Sequence, residues 1–432
     1  VVERAAADPK ASGDEAKVGV FYQSFMDEAA VDAAGAKPMA ADLADIRAAK
    51  TKTDIARLMG ASMRGFGGSF FGSYVYDDAK DPEKYAAYLF QAGLGLPDRD
   101  YYLDDKFKVQ KDAYQAYVAR MLTLSGWDAP EANAKAIVDL ETQIAEVSWT
   151  RAERRDDDKT YNPFEVDKLP AYAPGFDWAA FLEGAKLSKA TRVIVAENTA
   201  FPKIAKIYAD APVETLKAWQ AFHLADNAAP YLSKDFDQAH FDFRDKTLAG
   251  TPVQRPRWKR GVTMVDASMG EALGKSYVAA YFPPASKAKM EALVADLRVA
   301  MKDRIEKLDW MSPDTKAKAQ EKLTKFRVKI AYPDKWRDYS GLEIKPGDLY
   351  GNYERAAAFE WDFRANRLGG PVDDEEWGMT PPTINAYYSP TKNEIVFPAA
   401  ILQPPFFDRD GGPAGNYGGI GGVVGAGNTH GV

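Results

Sequence analysis

Residues 284–308 read PASKAKMEALVADLRVAMKDRIEKL. Met290, Leu293, Val294, Leu297, Met301, Ile305 and Leu308 recur at three- and four-residue steps, which draws one apolar stripe along a helix. Pro283 and Pro284 mark where it starts, and Ser312 followed by Pro313 opens the next helix as cap and first helical residue. Working outward, Ile137, Leu140, Ile144 and Val147 repeat the same period, and the helical pattern holds from about residue 41 to about residue 330. The first forty residues, rich in Ala, Asp and Gly, read as an extended entry segment with a short amphipathic stretch around Val20, Phe21, Phe25 and Met26. Beyond Phe326 the period changes. Residues 328–332 read as a strand turned by Pro333-Asp334, a loop-rich stretch carries Gly369, Gly370, Pro371, Pro381 and Pro382, and residues 384–388 and 394–397 read as two strands joined by a turn. The expected fold is mainly α with an α+β end, its domain boundary between residues 340 and 380.

The 432 residues suffice for two or three domains of ~150 each, and 46% hydrophobic with 28% charged residues describes a chain that folds. A net charge of −7 supplies no basic footprint for a phosphate backbone, so nucleic acid is not an expected partner. No apolar run reaches the ~18 residues of a membrane span. The absence of cysteine excludes disulfides, thiolate metal sites and thiol nucleophiles, and imidazole chemistry is confined to His223, His240 and His430. A chain opening on Val1 rather than Met fits removal of an upstream segment such as a signal peptide.

Two glycine patterns fall short of nucleotide sites. Residues 270–276 place three residues between glycines where a phosphate loop needs four, so they read as a helix N-terminal region. Residues 419–425 set the last glycine one place late for a dinucleotide fingerprint. His223 follows Leu216 and Trp219 on one helical face and reads as a packed, hydrogen-bonded histidine. His240 opens the alternating run His240-Phe241-Asp242-Phe243-Arg244, the pattern of an edge strand, and the mixed charges of residues 151–159 read as a solvated, mutually paired surface.

The chemistry-bearing segment is Asn385-Ala386-Tyr387-Tyr388-Ser389-Pro390, continuing through Asn393-Glu394-Ile395-Val396-Phe397-Pro398 to Ile401-Leu402-Gln403-Pro404-Pro405-Phe406-Phe407. An edge strand leaves backbone N–H and C=O groups open, so an extended peptide can add to it and be read through its own backbone. The Asn385 amide offers an acceptor and two donors to a peptide unit, and Ala386 keeps the approach close. This segment resembles the neprilysin family of zinc metallopeptidases, of the bacterial endopeptidase O type. The stretches Gly93-Leu94-Gly95-Leu96-Pro97-Asp98-Arg99-Asp100-Tyr101-Tyr102, Trp258-Lys259-Arg260 and Tyr332-Pro333-Asp334-Lys335-Trp336-Arg337-Asp338-Tyr339-Ser340-Gly341 are similar to family segments in family order.

The resemblance implies an entry segment over residues 1–40 packing on the catalytic part, a helical lid domain over 41–345, and the beginning of a thermolysin-like α+β catalytic domain over 346–432. It implies zinc, hydrolysis of oligopeptides inside the chain, a periplasmic or secreted location, and substrate backbone held by Asn385, Ala386 and Tyr387. It also implies a zinc helix His-Glu-x-x-His, whose histidines bind the metal and whose Glu activates the bound water. Matching residues 417–425 to that pattern sets Ala426 at the first ligand, Gly427 at the general base and His430 at the second ligand. A catalytic zinc takes three protein ligands, so His430 is a residual ligand at best. Gly418, Gly419, Gly421, Gly422, Gly425, Gly427 and Gly431 also weaken this helix by ~1 kcal/mol each relative to Ala. Two expectations follow: a metallopeptidase portion completed by missing residues or by a second chain that supplies the rest of the catalytic domain, or a non-catalytic protein that binds peptides or partners.

Overall fold

The apolar stripe that marks residues 137–147 as helical becomes the inner face of Pro130–Val147, which buries Ile137, Val138, Leu140, Ile144 and the one charged residue Glu141. The computed structural model describes residues 1–431 and divides them into two compact units, each assembled from separated stretches of chain. The larger holds Gln23–Arg260 and Leu342–Val372. In it, helices Lys108–Leu124 (α1), Pro130–Val147 (α2) and Val213–Ala228 (α3) pack on one another, with α3 buried on nearly every face. Strands Phe71–Asp78 (β1), Asp81–Gln91 (β2), Asn162–Glu165 (β3) and Arg192–Val195 (β4) form a sheet of order β1-β2-β4-β3, parallel only between β2 and β4. The mainly α expectation holds, with 59% helix and 10% strand.

Several local expectations change. The run from His240 to Arg244 is not an edge strand: helix Lys234–His240 continues as a π-helix, Phe241–Leu248. The wider i→i+5 turn lets Phe241 and Phe243 both reach the core, so an alternating pattern arises without a strand. The loop-rich reading of residues 340–380 missed helix Leu349–Ala365, whose cap Asp348 accepts from the Gly351 amide at 3.2 Å. The entry segment is helical over Val2–Ala7, Gly13–Met26 and Glu28–Ala34. The charged run is paired, through Arg151–Asp98 (3.2 Å), Arg154–Glu197 (2.7 Å) and Lys159–Asp156 (3.4 Å).

The smaller unit holds Val1–Tyr22, Gly261–Gly341 and Asp373–Val432, an interleaving unlike the three consecutive segments expected. Its physical origin is the stripe on Pro284–Lys307 (α5, after Arg257–Tyr281, α4). Met290, Leu293 and Val294 share a core with Ile330, Ile395, Phe397, Ile420 and Val424, so residues 284–331 belong with the C-terminal strands. Strands Arg327–Ala331 (β5), Tyr387–Ser389 (β6) and Glu394–Pro398 (β7) form a sheet of order β5-β7-β6, with β7 parallel to β5 and antiparallel to β6. Ser312 caps Pro313–Thr324 as its sequence predicts, accepting from the Thr315 amide at 3.1 Å.

The glycines at 270 and 274 have a packing role. α4 is broken at Met269 (φ −138°, ψ 43°) and restarts at Gly270. A Cβ at Gly270 would lie 2.2 Å from Thr380 and one at Gly274 2.6 Å from Pro381, so both glycines admit the 380–381 segment.

Candidate functional site

β6 is an outer strand, paired with β7 through Tyr387↔Val396, Tyr388↔Ile395 and Ser389↔Glu394. Its ladder begins at Tyr387, so Ile384, Asn385 and Ala386 lie ahead of the strand expected from residue 384. Asn385 is exposed, and its Oδ1 accepts the Ala386 amide at 2.8 Å. The side chain is thus folded on its own backbone, with the Nδ2 donors directed elsewhere. The Tyr387 hydroxyl accepts from the Gly378 amide (2.7 Å) and pins the preceding loop. Tyr388 stacks on Phe326, with ring centres 5.6 Å apart, and donates to Asn393 Oδ1 at 3.0 Å.

β7 behind this edge is wholly buried. Glu394 at its start is 1% exposed and meets Lys329 Nζ at 3.0 Å. Burial pushes the Glu394 carboxyl above its ordinary value, and the Lys329 hydrogen bond and charge only partly offset this. The pair ties β5 to β7 from inside the sheet.

Helix Ile420–Gly431 (α6) forms despite its glycines because Ile420 and Val424, both fully buried, anchor it in the core shared with Ile395 and Phe397. Its last turn lies against the edge strand: a Cβ at Gly431 would be 2.4 Å from the Phe326 ring and 3.2 Å from Tyr388. The structure therefore brings the end of α6 against Phe326 and against Tyr388 of β6, the strand that follows Asn385 and Ala386. Ala426 and His430, one turn apart, are exposed. Gly427 is turned onto β7, and Asn428 is 1% exposed with an Oδ1 that has no hydrogen-bond partner among the described residues. Sequence reasoning passed over Asn428, although a lone amide in a run of small and apolar residues was a signal that something polar would be buried.

The donor set does not fit a catalytic zinc. Such a site needs three protein ligands and a carboxylate base, whereas positions 426, 427 and 430 offer one imidazole. Among the described residues no three His, Asp or Glu side chains converge into a metal-holding group. The other histidines are committed or enclosed: His223 Nε2 lies 2.7 Å from Glu141, and burial lowers the His240 pKa below its ordinary value.

Residues 1–333 match the N-terminal model, and residues 385–432 a second model, of Peptidase family M13. An endothelin-converting enzyme homolog of Locusta migratoria is 33% identical over 84% of this chain and 53% of its own length. Human endothelin-converting enzyme 1 is 30% identical over 96% of this chain and 57% of its own. Among solved structures, the Mycobacterium tuberculosis zinc metalloprotease ZMP1 in complex with an inhibitor superposes with a TM-score of 0.94 at 40% identity, over 100% of this chain and 66% of that one. PEPO from Lactobacillus rhamnosis HN001, at 23% identity and a TM-score of 0.88, has the same fold over 99% of this chain and 69% of its own. The chain spans little more than half the length of the curated relatives it matches.

Proposed function

Because this chain belongs to peptidase family M13, we propose that it is the lid-bearing and peptide-holding portion of a zinc metalloendopeptidase for oligopeptides, and that its own residues do not complete the zinc centre. The observation that carries this reading is the outer strand β6, with Asn385 and Ala386 at its open start and the end of α6 beside it. A substrate in extended form adds its backbone to that edge, Asn385 turns its amide from Ala386 to the substrate, and Tyr387 holds the strand's entrance through Gly378. Zinc, where bound in the family, supplies an activated water. In this reading the ligands lacking here come from residues outside this 432-residue stretch, on the same polypeptide or on a second chain. A periplasmic or secreted setting is the location that the family resemblance implies; no described helix is long and apolar enough to cross a membrane.

A second reading is favoured by Ala426 and Gly427: a pseudopeptidase that binds peptides or partners without hydrolysis. Metal analysis and peptide turnover separate the outcomes. After dialysis against zinc the chain is expected to retain well under one equivalent and to leave a fluorogenic oligopeptide intact. Turnover once the remaining portion of the catalytic domain is present supports the peptidase reading, and binding without turnover under that condition supports the pseudopeptidase. Near one tightly held zinc in the chain alone would overturn both.

Asn385→Ala tests the edge. Each lost neutral hydrogen bond contributes about 0.5–1.5 kcal/mol, so binding of oligopeptides of unrelated sequence is expected to weaken by a similar factor of roughly two to twelve per bond. Titration by fluorescence anisotropy checks this. Unchanged affinity for every peptide, or loss confined to one sequence, would remove Asn385 from backbone recognition.

A further inference from the structure

Helix Leu349–Ala365 belongs to the stretch that returns to the larger unit at Leu342 and leaves it again after Val372. Its aromatic contact is with Phe66, which stacks on Tyr353 at 4.6 Å between ring centres and lies 4.7 Å from Tyr350. Its polar contacts are of two kinds. Arg64 grips Asp362 through Nε at 2.8 Å and Nη2 at 2.7 Å, a fork of opposite charges. About two turns earlier two acids meet instead: Glu354 hydrogen-bonds to Asp42 of helix Ala40–Ala48, and Asp42 also accepts from the Tyr350 hydroxyl. Both acids are half-buried in the wall of a cleft of about 360 Å³, which Leu58, Phe66 and Leu224 also line. Two ionised carboxylates are acceptors only, so this contact requires a proton on one of them. Among the described residues no basic side chain forms an ion pair with either: Arg64 is held by Asp362, and Arg355 by Asp348 (2.9 Å) and Asn352 (2.6 Å). Asp45 adds a further acid to the cleft. Burial first, then the charge and hydrogen bond of Asp42 and the charge of Asp348, push the Glu354 carboxyl up to about 8 against the weaker pull of Arg355.

We propose that Glu354 and Asp42 share one proton and so form a pH-sensitive latch that holds helix Leu349–Ala365 onto helix Ala40–Ala48, tight while the proton is present and loosened as it is lost. When the helix opens, Glu354 meets water and its carboxyl returns to its ordinary value of 4.5. The folded value lies above the open one, so the latch's contribution is complete below about pH 4.5 and declines as pH rises towards 8. Each pH unit in that window raises the opening equilibrium by up to about tenfold. This goes beyond the proposed function: none of the latch residues belongs to β6 or α6, and the latch acts whether or not a peptide binds.

Hydrogen exchange of the full chain, read by mass spectrometry from about pH 5.5 to about pH 8.5, tests it. Parent and variant are compared at equal pH, so the intrinsic pH dependence of exchange cancels. Glu354→Gln keeps a donor for Asp42 but has no proton to lose. The ratio of parent to variant exchange rates in Leu349–Ala365 should climb by up to about tenfold per pH unit to about pH 8 and then level, while the ratio in α2 stays constant. Asp42→Asn removes the like charge and lets an amide donate to ionised Glu354, so it should weaken the pH dependence in the same helix. It also keeps the test open if Glu354→Gln fails to fold. A ratio constant with pH, a rise shared equally by α2, or an undiminished pH dependence in Asp42→Asn would each overturn the proposal.

Discussion

Replacing Glu141 with Ala is expected to destabilise the larger unit by about 3–5 kcal/mol, the range for breaking a buried, hydrogen-bonded charge site. The carboxylate is fully buried and serves as one acceptor for donors from separate parts of the unit: Tyr102 Oη at 2.6 Å, Tyr114 Oη at 2.9 Å, Trp219 Nε1 at 3.0 Å, His223 Nε2 at 2.7 Å and the Gly95 amide at 3.2 Å. Burial, and then the Glu141 charge, hold the Tyr102 and Tyr114 phenols far above their ordinary pKa, so both remain donors at any working pH. Deleting the acceptor strands several buried donors, at about 1–3 kcal/mol for each that finds no water. Urea unfolding followed by tryptophan fluorescence should show a lower midpoint, with Glu141→Gln intermediate because its amide keeps one acceptor and turns a donor towards donors. A loss below about 1 kcal/mol would mean that water replaces the carboxylate, and that the cluster is not an organising centre.

The second large effect concerns Arg244→Met. Arg244 meets Asp226 through Nη2 at 2.7 Å and Nε at 3.2 Å, Tyr117 donates to the same carboxylate at 2.6 Å, and a further guanidinium N–H reaches the Gly95 carbonyl. Met keeps the stem's volume but leaves Asp226, 7% exposed, without its counter-charge, which is expected to cost about 3–5 kcal/mol at neutral pH. The pH dependence should reverse in sign. In the parent, burial pushes the Asp226 carboxyl up, but the charge and hydrogen bonds of Arg244 and the Tyr117 bond bring it below its ordinary value of 3.8. Its stabilisation is therefore present above that unfolded value and lost as pH falls through the lower folded one. Without Arg244, burial, the largest influence, is opposed mainly by the Tyr117 bond and the folded pKa is expected to rise above the unfolded one, so the variant loses stability as pH rises between them and regains it towards acid. The gap between parent and variant should narrow on acidification. A gap constant from pH 4 to pH 8 would show that the ion pair acts only by packing.

Much of the fold was legible along the chain because helices and caps are governed by residues a few positions apart. The Met290 to Leu308 stripe, the Ile137 to Val147 face, the Ser312-Pro313 start and the Glu394 to Phe397 strand needed no distant partner to be read. The outer strand at Tyr387 and Tyr388 was legible for the same reason, although its ladder starts three residues later than the sequence suggests.

Only the tertiary structure decided the rest. Alternation from Phe241 to Arg244 fits a strand locally, but the π-helix is selected by Arg244 reaching Asp226 on α3 and by Phe243 packing on Tyr117 of α1. Helix Leu349–Ala365 hides its inner face because Asn352, 0% exposed, is polar by composition and is satisfied by the Lys345 backbone, the Arg355 guanidinium and Ser24. Glu141 looks like any helix glutamate until Tyr102, Tyr114, Trp219 and His223 converge on it from positions up to 82 residues away. Sequence alone determined which side chains this chain brings to the edge strand and the final helix, since composition needs no geometry. Which way they face was left to tertiary packing: it turned Gly427 onto Ile395 and left His430 outside, because a helix rotates to bury its best-fitting face, and that fit depends on atoms of β7, 32 residues back along the chain.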